Sequence, residues 1–296
     1  MKLGMIVLAM TMLVSTFSQA SVRKVIYGED NRLDIYEAVN ELHLELARST
    51  AAMIPNGSIR MEDDKGIIRG SSLSDRGICA SARYADQVTA ANCSGFLVGA
   101  DLLVTAGHCI RSRNDCSSSK WVFDFALAEA TADAGQIEVP AESVYGCASI
   151  IQQSLDGRTQ DDFALIRLDR AVTDRAPLTV RTEGRVADGT DVVVIGHPTG
   201  LPTKIADGAY VRDNRNPIYF VSNLDTFGGN SGSAVFDAQT GLVEGILVRG
   251  ENDYVYDSAQ GCRVPQQCTD TGCRGEDVTR ITNITELMEI ANGTQH

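Results

Sequence analysis

Four histidines limit the acid–base chemistry that this chain can perform: His43, His108, His197 and His296. A hydroxyl nucleophile needs a base whose pKa lies near neutrality, so any such mechanism must use one of them. His108 is the best placed, because it follows an apolar run that ends in small residues, and a cysteine comes next. We expect His197, in a Gly-His-Pro sequence, to occupy a turn, and His43 and His296 to be solvated.

One serine is surrounded by glycines. Residues 228–233 read Gly-Gly-Asn-Ser-Gly-Ser, with Ser231 as the fourth. Glycines let a backbone turn tightly and approach a substrate closely, and the amides of Gly229 and Ser231 could converge on one point, as an oxyanion hole requires. The alternative is a plain glycine turn before a strand. The G-x-S-x-G elbow of α/β-hydrolases is not matched, because Ser233 occupies its last glycine position.

A pair of carboxylates, Asp161 and Asp162, comes directly before the apolar run Phe163–Leu168. A carboxylate at the mouth of a strand can accept the Nδ1 hydrogen of a histidine, fix its tautomer and stabilise the imidazolium. The alternative is an acidic turn that caps the strand.

The three segments occur in the order His, Asp, Ser and together resemble the chymotrypsin-like serine proteases. The most specific match is the Thr-Ala-Gly-His-Cys sequence that ends at Cys109, and the glycine-rich serine segment narrows the resemblance to the bacterial glutamyl-endopeptidase-like branch. The resemblance extends from about Cys93 to Val248. It implies an all-β fold of two six-stranded antiparallel barrels, with the site in the cleft between them, and a reaction that uses no metal or organic cofactor.

The resemblance also assigns roles to individual residues. By motif, His108 matches the general base, Ser231 the nucleophile, and the amides of Gly229 and Ser231 the oxyanion donors. Asp162, rather than Asp161, matches the orienting acid, because the family's Asp directly precedes an apolar-Ala-Leu run.

Short apolar runs separated by Gly, Asp, Asn and Pro follow Cys79, and they are typical of an all-β sandwich or barrel. We predict that 79–296 forms the protease domain, with barrels over about 79–172 and 173–296 and a closing helix over Ile284–Ala291. The charged segment 21–78 shows near-helical apolar spacing, and it is either a propeptide or part of the fold. The predicted strands are Phe96–Val104, Trp121–Leu127, Phe163–Leu168, Val192–Ile195, Tyr219–Val221, Ala234–Phe236 and Leu242–Val248.

The beginning of the chain predicts export. Residues 1–20 read as a secretory signal peptide with a basic start, an apolar centre and a small-residue end. That centre is too short to span a bilayer, and no later segment approaches the ~20 apolar residues of a spanning helix. The eight cysteines all follow it, and an even number in an oxidising compartment favours disulfides over zinc. If a hairpin joins the strands around Cys93 and His108, a Cys93–Cys109 bridge would fix the histidine loop.

The charge balance excludes some partners. A formal net charge of −13 argues against nucleic acid and against an anionic membrane surface. From the predicted signal peptide we expect a soluble extracellular or periplasmic protein, and from the resemblance we expect its partners to be protein or peptide substrates. The sequence leaves the oligomeric state open.

One departure from the trypsin pattern concerns activation. Asn230 stands where trypsin-like enzymes carry the Asp that receives a freed N-terminal amine, and an Asn has no carboxylate for that ion pair. Activation would instead involve the removal of part of residues 21–78, which makes the chain a candidate zymogen.

The residues expected to line the substrate pocket do not all favour the same type of P1 side chain. Asp225 stands six residues before Ser231, where trypsins carry the acid that binds Lys or Arg. Acid-selective members share a Gly-Ile-His sequence, but here Leu247 replaces that histidine, and Arg249 is either a pocket cation or a solvated strand-end residue. With Thr226 as a further pocket residue, the prediction is a basic or unrestricted P1 side chain.

The predicted function is that of a secreted serine endopeptidase that works through an acyl-enzyme. Two alternatives stay open: a catalytically inactive homologue that acts as a binding module, and an esterase with the same triad. A zinc metalloprotease is excluded by the absence of H-E-x-x-H.

Overall fold

The computed structural model describes residues 26–130 and 135–293 of the chain. The predicted signal peptide lies outside these residues. Three short helices are present in the described part: α1 (Glu41–Arg48), α2 (Arg113–Ser118) and α3 (Thr285–Ala291). Most of the remaining residues with regular secondary structure lie in strands, so the all-β prediction is confirmed. The predicted closing helix at the carboxyl end is also present.

The first barrel has six antiparallel strands. They are β1 (Thr50–Pro55), β2 (Cys93–Gly99), β3 (Leu102–Thr105), β4 (Ser119–Val122), β5 (Val144–Leu155) and β6 (Asp162–Leu168). They pair in the order β4-β5-β6-β3-β2-β1, and the pairing of β4 with β1 closes the ring. In the β3–β6 pair Ala164 lies opposite Thr105, so the end of β3 lies beside the start of β6.

The second barrel also has six antiparallel strands. They are β7 (Asp191–Gly196), β8 (Lys204–Asp213), β9 (Tyr219–Ser222), β10 (Ala234–Asp237), β11 (Val243–Arg249) and β12 (Glu276–Arg280). Their order is β7-β10-β11-β12-β9-β8, closed by the β7–β8 pairing. The predicted pair of six-stranded barrels is therefore confirmed.

The two barrels share one apolar core. Phe96 and Leu165 of the first barrel and Ile195 and Phe236 of the second are fully buried members of a single cluster. Because interiors are close-packed, such a shared core fixes the barrels relative to each other. Side chains that project from both barrels can therefore form one cleft.

Residues upstream of position 79 are part of this fold. β1 pairs with both β4 and β2, so the ring would be open without it. Strand Arg32–Asp34 pairs with β8, and strand Ile26–Tyr27 pairs in parallel with Gln267–Cys268. The predicted start of the first barrel near residue 79 is corrected accordingly: the barrel begins at Thr50.

The helical spacing predicted within the upstream segment is only partly realised. Helix α1 is short, and the Asn40 side chain caps it by accepting from the amides of Leu42 and His43. His43 is only 3% exposed, so the expectation that it is solvated is wrong.

Two of the predicted strands end earlier than expected. The run 96–104 is divided between β2 and β3, which a tight turn joins as a hairpin. The run 121–127 leaves the sheet after Val122, because Asp124 adopts a positive φ of 61° that a strand cannot accommodate.

Smaller sheets lie outside the two barrels. Strands Ile59–Glu62, Lys65–Arg69 and Gln136–Pro140 form one three-stranded sheet. Ser71–Ser72 pairs with Val88–Thr89, and Tyr254–Asp257 pairs with Cys262–Pro265.

Four disulfides use all eight cysteines. They are Cys79–Cys262, Cys93–Cys109, Cys116–Cys147 and Cys268–Cys273. The first joins residues 183 positions apart. Disulfides of this number are typical of proteins that fold in an oxidising compartment. Among the described residues, no helix has the length and apolar character needed to cross a membrane.

Candidate active site

The pairing of β3 with β6 brings His108 to Asp162. The chain leaves β3 at Thr105 and reaches His108 three residues later, while Asp162 is the first residue of β6. One oxygen, Asp162 Oδ2, lies 2.8 Å from His108 Nδ1, and Oδ1 accepts the backbone amide of His108 at 3.0 Å. The carboxylate is 2% exposed. It therefore holds both the ring and the backbone of the histidine.

The neighbouring acid has a different partner. Asp161 Oδ1 accepts a hydrogen bond from the Asn283 side chain at 3.0 Å, and burial raises the pKa of Asp161 above its ordinary value. Of the two candidate carboxylates, the structure brings only Asp162 to the histidine.

Arg249 lies behind the His–Asp pair. Its Nη1 atom is 3.8 Å from Asp162 Oδ2, its Nε is 3.2 Å from Asp277 Oδ2, and its Nη2 donates to the carbonyl of Gln160. The guanidinium is thus committed to two carboxylates. It is neither a free pocket cation nor a fully solvated strand-end residue, the two roles considered from the sequence.

The loop before β10 presents Ser231. Two glycines allow its path: Gly229 has φ of 96° and Gly232 has φ of 90°, and a Cβ at Gly232 would lie 2.1 Å from the carbonyl oxygen of Ser94. The Ser231 carbonyl accepts the amide of Ser94 at 2.8 Å. This bond fixes the loop of the second barrel to β2 of the first.

The backbone amides around Ser231 divide into two groups. Those of residues 228, 230, 232 and 233 each donate to an acceptor within the protein. The amides of Gly229 and Ser231 have no such acceptor among the described residues. These two are the donors predicted for the oxyanion hole, and they are available for a ligand oxygen.

Ser231 lies close to the histidine loop. Its carbonyl oxygen is 3.7 Å from Cys109 Sγ, and Cys109 follows His108 directly and forms the predicted disulfide with Cys93. In the described part of the chain, the Ser231 hydroxyl makes no hydrogen bond to His108. Catalytic hydrogen bonds are often long in ligand-free sites and shorten when substrate binds.

His197 is unsuited to be the base. It is fully buried, Nδ1 lies 3.1 Å from the Leu201 carbonyl, and Nε2 has no hydrogen-bond partner in the described structure. Burial lowers its pKa from 6.5 to about 3, with a smaller effect from the nearby charge of Lys204. Its position after β7 agrees with the predicted turn.

A cavity of about 110 Å³ opens beside Ser231. Most of its lining comes from residues 226–231 and 247–253. The predicted pocket residues Thr226, Leu247 and Arg249 are among them. The cavity also has three carboxylate-bearing residues in its lining, Glu251, Asp253 and Glu276.

Asp225, the predicted pocket acid, is not among the residues that line this cavity. Its Oδ1 accepts the amide of Tyr27 at 2.7 Å and its Oδ2 accepts the amide of Asn31 at 2.9 Å. Burial raises the pKa of Asp225 to about 7. The structure thus corrects its role: Asp225 anchors the amino-terminal segment.

Glu276 was missed from the sequence. It lies at the start of β12, and its Oε2 accepts the Thr226 hydroxyl at 2.6 Å. Burial raises the pKa of Glu276 to about 8. No local motif marks it, because it faces Thr226 only through the pairing of β12 with β11 and β9.

One group of metal-ligating residue types occurs at the site, formed by Cys93, His108 and Cys109. Both sulfur atoms belong to the Cys93–Cys109 disulfide. Neither can act as a thiolate ligand, so the group does not suit a metal ion.

Two six-stranded barrels, with a His–Asp pair on one and a glycine-flanked serine on the other, define a chymotrypsin-like fold. A solved structure of Glu endopeptidase in complex with MPD is similar, with a TM-score of 0.53 and 17% sequence identity, covering 90% of this chain and 99% of that one. Human heparin binding protein is similar with a TM-score of 0.51 and 14% identity, covering 85% and 94%. At these identities the likeness concerns the fold alone.

The trypsin-like peptidase domain family matches residues 93–246, which is more than half of the 296 residues. The chain belongs to this family. No curated protein matches its sequence.

Proposed function

We propose that this chain is a secreted serine endopeptidase whose triad is His108, Asp162 and Ser231. One observation carries the proposal: Asp162 holds His108 through both its ring and its backbone, next to a serine loop whose amides at Gly229 and Ser231 donate to no acceptor within the described residues. An imidazole, a carboxylate and a hydroxyl in this arrangement, with two unused amide donors, suit acyl transfer.

The proposed mechanism uses these groups in sequence. His108 takes the proton of Ser231 as the hydroxyl attacks the scissile carbonyl, and Asp162 stabilises the resulting imidazolium. The amides of Gly229 and Ser231 bind the oxyanion, and one such donor is worth about 3–4 kcal/mol of barrier. His108 then protonates the leaving amine, and water hydrolyses the acyl-enzyme.

We expect a basic or broad P1 preference. The Glu endopeptidase of similar fold is named for Glu, but we do not expect its preference in this chain. Leu247 stands where acid-selective members carry a histidine, Arg249 is paired, and carboxyl groups line the cavity.

Labelling with a fluorophosphonate tests the function, because only an activated serine reacts. We expect stoichiometric labelling of the mature protein, hydrolysis of casein, and a loss of about 10⁶-fold in kcat in Ser231→Ala. Failure of the intact, folded protein to react would favour a non-catalytic binding module. Hydrolysis of simple esters with no cleavage of casein would favour an esterase.

Processing of the amino-terminal segment is tested by sequencing the mature protein. We propose that removal, if it occurs, stops before Ile26, because Tyr27 and Asn31 hold Asp225 and β1 closes the first barrel. Fully active protein that begins at Ser21 would exclude a propeptide. Active protein that begins after Pro55 would contradict the role assigned to β1.

A further inference from the structure

The lining of the cavity beside Ser231 contains more carboxyl groups than cationic side chains. Arg249 is the one cation in the lining of this described cavity, and it is paired with Asp277 and approached by Asp162. Glu251, Asp253 and Glu276 carry carboxylates. A substrate side chain that enters the cavity therefore meets carboxylates with no free cation among them.

Glu276 is the most enclosed of these carboxylates, at 3% exposure. Its oxygens accept from neutral donors: the Thr226 hydroxyl at 2.6 Å, the Glu251 amide at 3.2 Å and the Tyr27 hydroxyl at 3.5 Å. It forms no ion pair among the described residues. Arg274, the cation nearest in sequence, pairs instead with Asp277 at 2.7 Å.

A buried carboxylate without a counterion favours its neutral form, and the pKa of Glu276 is raised to about 8 for this reason. A cation that entered the cavity would supply the missing charge and a donor, giving a charge-assisted hydrogen bond in a water-poor place. Gly250 leaves room for this contact, since a Cβ there would lie 1.7 Å from Glu276 Oε2.

We propose that Glu276 is the specificity-determining residue of this site and that it selects substrates with Lys or Arg at P1. The inference rests on the proposed protease function, because the cavity receives P1 only if Ser231 is the nucleophile. Glu276 thus takes the task that the sequence suggested for Asp225, whose two oxygens are occupied by the amides of Tyr27 and Asn31.

The test is a set of fluorogenic peptides that differ only at P1, carrying Lys, Arg, Gln, Leu or Glu. In the unmodified protein we expect kcat/KM to be at least about 100-fold higher for Lys and Arg than for Glu. Glu276→Gln should remove about 100-fold of kcat/KM for Lys and Arg while changing the Leu and Gln substrates less than about threefold. Asp225→Asn is the matched control, and its ratio of Lys to Leu cleavage should equal that of the unmodified protein.

A direct binding measurement keeps the pocket and the catalysis apart. Benzamidine, an aryl amidine, is titrated calorimetrically into Ser231→Ala protein with and without Glu276→Gln. Weaker binding in the double variant supports the proposal, and equal binding overturns it. Active protein with no P1 preference, or with a preference that Glu276→Gln leaves intact, also overturns it while the protease function stands. Failure of fluorophosphonate labelling together with amidine binding through Glu276 would reject the protease and retain the cation site.

Discussion

Asp162 and Asp225 were both predicted to touch the site, and the structure places only one of them there. Asp162 contacts His108, 54 positions away, through adjacent paired strands of one barrel. Asp225 contacts Tyr27, 198 positions away, and is not among the residues that line the cavity. Both residues are buried, with 2% exposure for Asp162 and 4% for Asp225.

The difference lies in what determines each neighbour. A motif at the end of one strand and a motif at the start of the next paired strand meet whenever those strands pair, so their contact follows from the fold. The neighbour of Asp225 comes from an extended amino-terminal segment whose route no local pattern specifies. Asp225 was assigned to the pocket because it lies six residues before Ser231. Such a spacing predicts where the backbone lies, but it does not predict which group the side chain contacts.

Substituting each of these two acids by its amide should give the largest difference between the two regions. Asp162→Asn should lower kcat by about 10⁴-fold, because Asn favours the wrong histidine tautomer. Asp225→Asn should leave kcat within about threefold and should cost about 1–3 kcal/mol in the free energy of unfolding, because one amide loses its acceptor. Steady-state kinetics and urea unfolding measure both quantities. A 10³-fold or greater loss of kcat in folded Asp225→Asn would contradict the structural role assigned to Asp225.

Asp161→Asn serves as a further control for the first acid. Asp161 bonds to Asn283 rather than to the histidine. We expect its substitution to lower kcat by less than about tenfold, since the histidine keeps its carboxylate.

A smaller effect is expected from Arg249, which lies near Asp162 and pairs with Asp277. Arg249→Gln removes the cation near Asp162 and should lower kcat by about tenfold with little change in KM for a P1 Leu substrate, and Arg249→Lys should restore part of the loss. Arg274→Gln is the matched control, because Arg274 pairs with the same Asp277 carboxylate. Equal losses in both variants would mean that Asp277, and not Asp162, mediates the effect.

The smallest expected effect concerns stability and the second histidine near the site. His197 has a folded pKa of about 3 against an ordinary value of 6.5, so the unfolded chain binds more protons between these values. Its contribution to stability is present above pH 6.5 and is lost as pH falls toward 3. His197→Asn keeps a donor for the Leu201 carbonyl and cannot titrate in this range. Urea unfolding at pH 7 and pH 5 should therefore show a smaller stability loss in this variant than in the unmodified protein. An unchanged difference between the two pH values would show that His197 is not the titrating group.

Much of the fold could be predicted from the sequence. Strands such as β6, β7 and β10 coincide closely with apolar runs bounded by turn residues. The structure departs from the prediction after Val122, where the positive φ of Asp124 ends a predicted strand early. The upstream strand β1 was missed. It lies in the segment 21–78, for which the sequence indicated only a helical spacing, and its partners β4 and β2 lie far along the chain.

The features of the candidate site also fall into those that the sequence predicted and those that it did not. The position of His108 beside Asp162 and the free amides around Ser231 were expected from motifs, because each motif carries its own backbone geometry. The roles of Arg249 and Glu276 depend on the register between β11 and β12, which a single sequence does not specify. Specificity was therefore harder to predict than chemistry.

The long-range disulfide constrains how this molecule reaches its final form. Cys79 and Cys262 enclose a loop that contains most of both barrels, so the bond forms only after synthesis has passed residue 262. Closing so large a loop removes conformational freedom from the unfolded chain, worth about 5 kcal/mol on the chain-entropy account. A reductant should therefore weaken the whole protein rather than one hairpin, and a nick in an exposed loop between the two cysteines would leave the fragments covalently joined.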